Sequence, residues 1–237
     1  MIAKLASAAI GVAVVGVLSA SSWSPRELTR TNRVLAASVS TGEVNTSREV
    51  RTTRQDVAVR YVTTGDGSKA RYRVRERLLG RELDNDAVGE TSAITGSIAL
   101  DKSGAVVRGV SGFDVNMPAL TSDETRRNSY VRTRLLVTDS FPTTKLAVTG
   151  VRGLPSPLPV NGRVQFQLLG DLTVKGVTRP TTWNVTATVA GDQLTGTAAT
   201  AFTFEQFQLT QPKVRIVLSV NDTIRLEYDF TMKKQAP

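Results

Sequence analysis

From Val57 to the end of the chain the dominant pattern is alternation with a period of two. It is cleanest in two places. Trp183, Val185, Ala187 and Val189 alternate with Thr182, Asn184, Thr186 and Thr188; Ile224, Leu226, Tyr228, Phe230 and Met232 alternate with Arg225, Glu227, Asp229 and Thr231. Successive strand side chains point to opposite faces, so each stretch describes a sheet with one apolar and one wet surface. The same reading predicts strands over 57–63 and 70–78 around a Gly65-Asp66-Gly67-Ser68 turn, a polar loop over 80–92, and strands over 92–100 and 105–117. Gly109 and Gly112 interrupt the last of these, as at a bulge or barrel bend.

Thr121-Ser122-Asp123-Glu124 has the spacing of a capping box and predicts one short helix through about Leu135. Its acidic residues come first and Arg126, Arg127, Arg132 and Arg134 later, which suits the helix dipole and a structural role. Phe141-Pro142 opens a further strand, and residues 154–159 make a stiff, proline-rich connection. Five strands follow, over 162–174, 177–189, 193–205, 214–220 and 223–232, with a sharp Lys175-Gly176 corner and turns at Gly191-Asp192 and Asn221-Asp222. No internal repeat of fixed length appears. About nine or ten antiparallel strands with one helix describe an all-β domain, a barrel or a sandwich, and closure is the simplest way to remove exposed edges.

Composition narrows the chemistry. The chain contains neither Cys nor His, which excludes disulfides, thiolate nucleophiles, zinc-finger sites and any Ser-His-Asp triad. Paired carboxylates could still hydrolyse glycosides, and Glu205, Glu227 and Asp229 are the nearest candidates. Glu227 and Asp229 fall on the outer face of their strand, and no spacing supports a Ser-Lys dyad, so the chain reads as a non-enzyme needing no cofactor. A net charge of +9 favours acidic partners in general. No helix is basic throughout, so nucleic acid is not expected.

Two features add detail. Arg71, Arg73, Arg75 and Arg77 occupy one face of a strand, either as a solvated row balanced by acidic neighbours or as a grip for anionic membrane or polymer. Glu76 lies on the other, apolar face, at a rim or at the mouth of a cavity. The N-terminus has its own organisation. Residues 1–22 combine Lys4, an uncharged run from Leu5 to Leu18 and small residues at Ser19-Ala20-Ser21-Ser22, the pattern of a signal peptide or N-terminal membrane anchor. Residues 23–54 are a polar linker, leaving 55–237 as the folded domain. Export to the cell envelope is the expectation, although Arg26, Arg30 and Arg33 after the apolar run are unusual for a translocated flank.

The segment Gly170 to Pro180, with Leu-Thr-Val-Lys-Gly-Val-Thr-Arg-Pro intact, closely resembles the signature of the YceI-like family. Thr121-Ser122-Asp123-Glu124-x-Arg126-Arg127 resembles that family's helix entry, Asp139-Ser140-Phe141-Pro142 the segment before its next strand, and Phe202-Thr203-Phe204 through Leu209 its late Phe-containing loop. The likeness spans Val57 to Lys234. It implies an extended, lipocalin-like antiparallel barrel with one helix that binds long amphiphilic or isoprenoid molecules, commonly in the bacterial envelope. Many members carry an acidic residue where this chain has Asn128, and an Arg near Thr203, so polar contacts to a head group are expected to differ.

A barrel of about eight strands is wide enough to hold one slender ligand. The apolar faces supply the lining candidates Phe113, Phe166, Trp183, Phe202, Phe204, Leu226, Tyr228 and Phe230. Ala187, Ala198 and Gly196 share those faces and would leave room for a tail. The expected partner is a polyisoprenoid or fatty-acyl amphiphile, carried or stored. An anionic membrane surface is a further candidate partner, and a homodimer is compatible with the pattern.

Overall fold

The last strand, Val217–Gln235 (β11), is 19 residues long and touches three others. The computed structural model describes residues 57–80, 83–213 and 217–235. The expected leader over 1–22 and the whole of the linker over 23–54 lie outside them. In chain order the remaining strands are Val59–Thr63 (β1), Lys69–Leu78 (β2), Asn85–Thr91 (β3), Ile94–Leu100 (β4), Gly112–Asn116 (β5), Thr121–Ser122 (β6), Thr143–Arg152 (β7), Asn161–Val174 (β8), Val177–Ala190 (β9) and Gln193–Thr203 (β10). A helix, Thr125–Tyr130 (α1), falls between β6 and β7.

The order β1-β4-β5-β7-β8-β9-β10-β11 returns to β1, giving a closed antiparallel barrel of eight strands. The seam joins the first strand to the last, with Arg60 opposite Gln235 and Thr63 opposite Met232. Further along the same edge of β11, β2 takes over from β1, and β3 lies against β2 as β4 lies against β1. β1 and β2 thus act as one long strand bent over residues 64–68, and β3 and β4 as another bent at Ser92-Ala93. About 60% of the described residues are in strands, and the fold is the all-β barrel with one short helix that the family resemblance implied, where alternation alone left barrel or sandwich open.

Physical causes are visible strand by strand. In β9, Trp183, Val185, Ala187 and Val189 are buried while Asn184 and Thr188 are exposed, as strict alternation requires. β8 and β9 meet at Lys175 and Gly176, both with positive φ (49° and 77°), a two-residue hairpin of the kind whose twist matches the strands. Glycine supplies that conformation without strain at Gly176, where a Cβ would also meet the Phe141 ring at 3.0 Å. Around this corner Thr173 and Thr178 share a hydrogen bond of 2.8 Å, and Arg179 donates from Nε to the Gln206 carbonyl at 3.0 Å. The signature segment is therefore a structural corner that ties two strands to the turn at Glu205–Phe207.

Several expectations need correction. Residues 85–91 are a strand rather than part of a polar loop; their pairing with β2 is held by Arg71–Glu90 and Arg75–Asp86 ion pairs across the outer face. Residues 105–117 are not one strand: Val106 makes an isolated bridge to Leu100, and regular pairing begins only at Gly112. Asn221-Asp222 does not end a strand. Asn221 Oδ1 accepts from the Thr223 amide at 2.8 Å, a local turn inside a bulge between the Val220–Glu76 and Ile224–Val74 pairs of β11 and β2. The helix is capped by Glu124, whose carboxylate accepts from the Arg126 amide, instead of by Thr121, which lies in β6. After Tyr130 the helix widens to a π-turn over Val131–Leu135, with the Leu136 amide donating to the Val131 carbonyl.

Candidate functional site

The barrel interior is not completely filled. An inner cavity of about 130 Å³ is lined by Phe113, Phe166, Trp183, Ala198, Tyr228 and Phe230, with Ile94, Ile98, Leu146, Leu168 and others behind them. Its apolar walls come from the inward positions of β4, β5 and β7 to β11. An outer cavity of about 750 Å³ adjoins it, with Tyr72, Met117, Leu120, Thr144 and Leu226 common to both. Its walls include β2, α1 with the following π-turn, and the segment from Phe202 to Pro212. A volume of this size is typical of small-molecule sites.

Aromatic contacts shape both spaces. Tyr228 meets the Phe113 ring edge-on at 5.5 Å and lies tilted against Phe230 at 5.7 Å. Its hydroxyl is satisfied by Thr63 Oγ1 at 3.1 Å, and burial pushes its pKa up. Trp183 donates from Nε1 to Thr181 Oγ1 at 3.0 Å, so its one polar atom is paired and the ring is free to form an apolar wall. In the outer region Phe202 packs on Phe207, with ring centres 4.4 Å apart.

Of the residues expected to line a cavity, Phe113, Phe166, Trp183, Ala198, Tyr228 and Phe230 border the inner space, Phe202 and Phe204 the outer one, and Leu226 both. Ala187 is buried but lines neither. Gly196 opens no room either: a Cβ there would meet the Phe230 ring at 2.9 Å and Ala187 Cα at 2.8 Å. Tight cross-strand packing has consumed the space that two small residues suggest in sequence.

The polar part of the outer cavity centres on Glu76. Its carboxylate, only 9% exposed, accepts from Arg127 Nη2 at 3.0 Å and from Asn85 Nδ2 at 3.5 Å. Arg127 also donates to Asp123. Burial works against the Arg127 charge, and Asp123 and Glu76 more than offset it, leaving its pKa above the ordinary value. Beside them the Tyr72 phenol is pushed up to about 12, chiefly by burial, with Arg127 pulling the other way. Glu76 was conspicuous in sequence as a charge on an apolar face. Its partner was not, because 51 residues separate them and only the docking of α1 over the end of β2 brings them together. Asn128, where an acidic residue is common, serves the helix entry by accepting from both the amide and hydroxyl of Ser122 at 2.7 Å.

In the arginine row, Arg71, Arg73 and Arg75 face carboxylates across the outer surface. Arg71 contacts Asp229 at 2.6 Å and Glu90 at 3.1 Å, Arg73 contacts Glu227 at 3.3 Å, and Arg75 contacts Asp86 at 3.0 Å. Lys69 and Arg71 hold the Glu90 carboxyl below its ordinary value, and Arg75 and Arg73 do the same for Asp86. Glu227 and Asp229, two of the carboxylates considered for hydrolysis, are thus occupied by guanidinium groups, and Glu205 is exposed in its turn. Among the described residues no cluster of Asp and Glu could hold a metal ion, and no helix is long and apolar enough to cross a membrane.

A closed antiparallel barrel enclosing an apolar space, with a polar group at one end, is the architecture of cavity-forming β-barrel proteins. The model of the YceI-like domain matches residues 61–232, and the chain belongs to the YceI-like family. Among solved structures it is similar to BcnA of Burkholderia cenocepacia, at 14% identity and a TM-score of 0.53, covering 71% of this chain and 98% of that one. A polyisoprenoid binding domain from Saccharophagus degradans, implicated in plant cell wall breakdown, matches at 10% identity and a TM-score of 0.54 over 76% of this chain and 99% of its own. The YceI protein of Campylobacter jejuni matches at 12% identity and a TM-score of 0.51, over 68% and 91%. At such identities these likenesses concern the fold. No curated protein matches the sequence.

Proposed function

We propose that this chain binds a long-chain amphiphilic lipid, a polyisoprenoid or a fatty-acyl compound, inside its barrel and carries or stores it without chemical change. The observation that carries the reading is the adjoining pair of cavities, the inner one walled by apolar side chains and the outer one polar chiefly beside Glu76 and Arg127. Each methylene of a tail moved out of water into such walls contributes about 0.8 kcal/mol before the cost of ordering it. Family membership and the polyisoprenoid-binding neighbour support the same ligand class. The arginine row supports an anionic-surface role poorly, since Arg71, Arg73 and Arg75 already face carboxylates. We place the protein in the cell envelope, exported or anchored by residues 1–22, which cell fractionation and the mass of the mature chain would test. Native mass spectrometry and solvent extraction of the purified protein should reveal a bound amphiphile. A chain that is empty on isolation and also ignores isoprenoid and fatty-acyl probes would end the proposal.

A further inference from the structure

The head-group end of the outer cavity has an unusual charge balance. Arg127, only 17% exposed, stands between the carboxylates of Glu76 and Asp123 and has no charge to spare. Among the described residues that border this cavity, the charged ones are Glu76, Asp123, Glu124, Arg126 and Arg127, and of these only Glu76 and Arg127 are shielded from water. The charged residues that border the inner cavity, Arg71 and Glu227, are themselves paired with Asp229 and Arg73. A phosphate or pyrophosphate entering here would therefore meet an arginine already paired with carboxylates, and it would have to approach the shielded Glu76 charge at short range, where like charges repel. An uncharged polar group meets the opposite situation. Asn85 and the Arg127 guanidinium offer N–H donors, Glu76 offers an acceptor, and the Tyr72 phenol stays protonated as a neutral donor because its pKa lies far above neutrality.

We infer that the Glu76–Arg127 pair makes the cavity select amphiphiles with an uncharged hydrogen-bonding head, a hydroxyl, carbonyl or amide, against the corresponding phosphates, and that Glu76 is the residue that sets this preference. The inference rests on the cavity-binding reading above. It goes beyond it by choosing among lipids with the same tail. Glu76 acts from inside the cavity wall, where it shares the Arg127 charge with the exposed Asp123; an arginine relieved of that inner carboxylate can turn its N–H groups to a phosphate.

The test compares geranylgeraniol with geranylgeranyl monophosphate, both below their aggregation concentrations, on the delipidated full chain, read by calorimetry and by the change in tryptophan fluorescence, with Trp23→Phe as the background so that Trp183 reports alone. The native chain should bind the alcohol about tenfold or more tighter than the phosphate. Glu76→Gln keeps the shape and a hydrogen-bonding oxygen while removing the buried carboxylate and leaving Arg127 only its exposed partner, Asp123. It should move the alcohol-to-phosphate ratio toward the phosphate by about tenfold, with alcohol affinity nearly unchanged. Asp123→Asn alters an exposed carboxylate that does not endanger folding, and should move the ratio the same way by about two- to fivefold. Phosphate binding as tight as alcohol binding in the native chain, or a ratio that neither variant moves, overturns the assignment. If neither ligand binds, nor hexadecanol and hexadecyl phosphate in the same assay, and the chain is empty on isolation, the cavity-binding reading itself falls and takes the assignment with it, an outcome distinct from binding without discrimination.

Discussion

Ala198 offers the sharpest way to separate empty space from packed core. It lies on β10 opposite Val185 and Tyr228, is buried, and borders the inner cavity. At about 24 cal/mol per Å³, a void of the size of the inner cavity, about 130 Å³, costs the empty protein about 3 kcal/mol. Ala198→Phe places a ring in that void. The gain should approach that figure less about 1–3 kcal/mol of strain, so the delipidated variant should be as stable as the native chain or up to about 2 kcal/mol more stable. The same ring evicts the lipid tail from the inner space, and losing about 3 kcal/mol of tail burial weakens binding roughly a hundredfold. Urea denaturation measures the first effect and geranylgeraniol titration the second. Ala187→Phe is the control, since Ala187 is equally inward but lines no cavity. It should destabilise by about 1–3 kcal/mol through overpacking while leaving the affinity of the folded fraction intact. If Ala198→Phe binds the probe within about twofold of the native chain, the inner space takes no tail. If it destabilises as much as Ala187→Phe, the space cannot receive a ring and the volume argument fails.

Two further predictions concern the frame around the site. Phe207 is 1% exposed and supports Phe202 from outside both cavities, so Phe207→Ala should cost about 3–5 kcal/mol in denaturation while the folded fraction still takes up probe. Tyr72 sets an alkaline limit. Its folded pKa of about 12 lies above the unfolded value near 10, so its contribution is complete below about pH 10 and is lost as pH rises toward 12, about 2–3 kcal/mol in all. Tyr72→Phe should flatten that limb of the stability curve, and an unchanged slope between those pH values would show that the phenol is more solvated than its burial implies.

Strand faces were readable wherever burial on one side and water on the other force alternation, as in β9 and in β11 from Ile224 onward. β3 was not. Asn85-Asp86-Ala87-Val88-Gly89-Glu90-Thr91 has poor intrinsic strand preference, and its pairing is imposed by long-range partners: arginines of β2 on the outside, and the Tyr72 ring lying over Gly89 within. Asn221-Asp222 carries genuine turn chemistry, which the structure uses to make a bulge inside one strand. The inward residues of the cavity were largely legible because the period decides which face a residue takes. Which inward positions stay open was not, because Ala187 and Ala198 are indistinguishable until cross-strand register shows what faces them. The polar end of the outer cavity was legible only as one odd carboxylate, since the partner of Glu76 comes from a helix that joins it solely through tertiary docking.

The seam between β1 and β11 has a consequence for how the domain is made. Arg60 to Thr63 lie in the first strand of the barrel, and their partners, Met232 to Gln235, in the last. On a ribosome, or emerging from any pore in the N-to-C direction, the growing chain holds every other strand before it can become a ring. Contacts of such sequence separation form slowly, because the whole intervening loop must be ordered first. Until they form, β1 and the end of β11 each present a bare edge able to pair with another chain. The barrel thus depends on its final few residues to bury the edge that its first strand exposes, and a chain shortened there by a handful of positions would be a candidate for swapped or aggregated assembly.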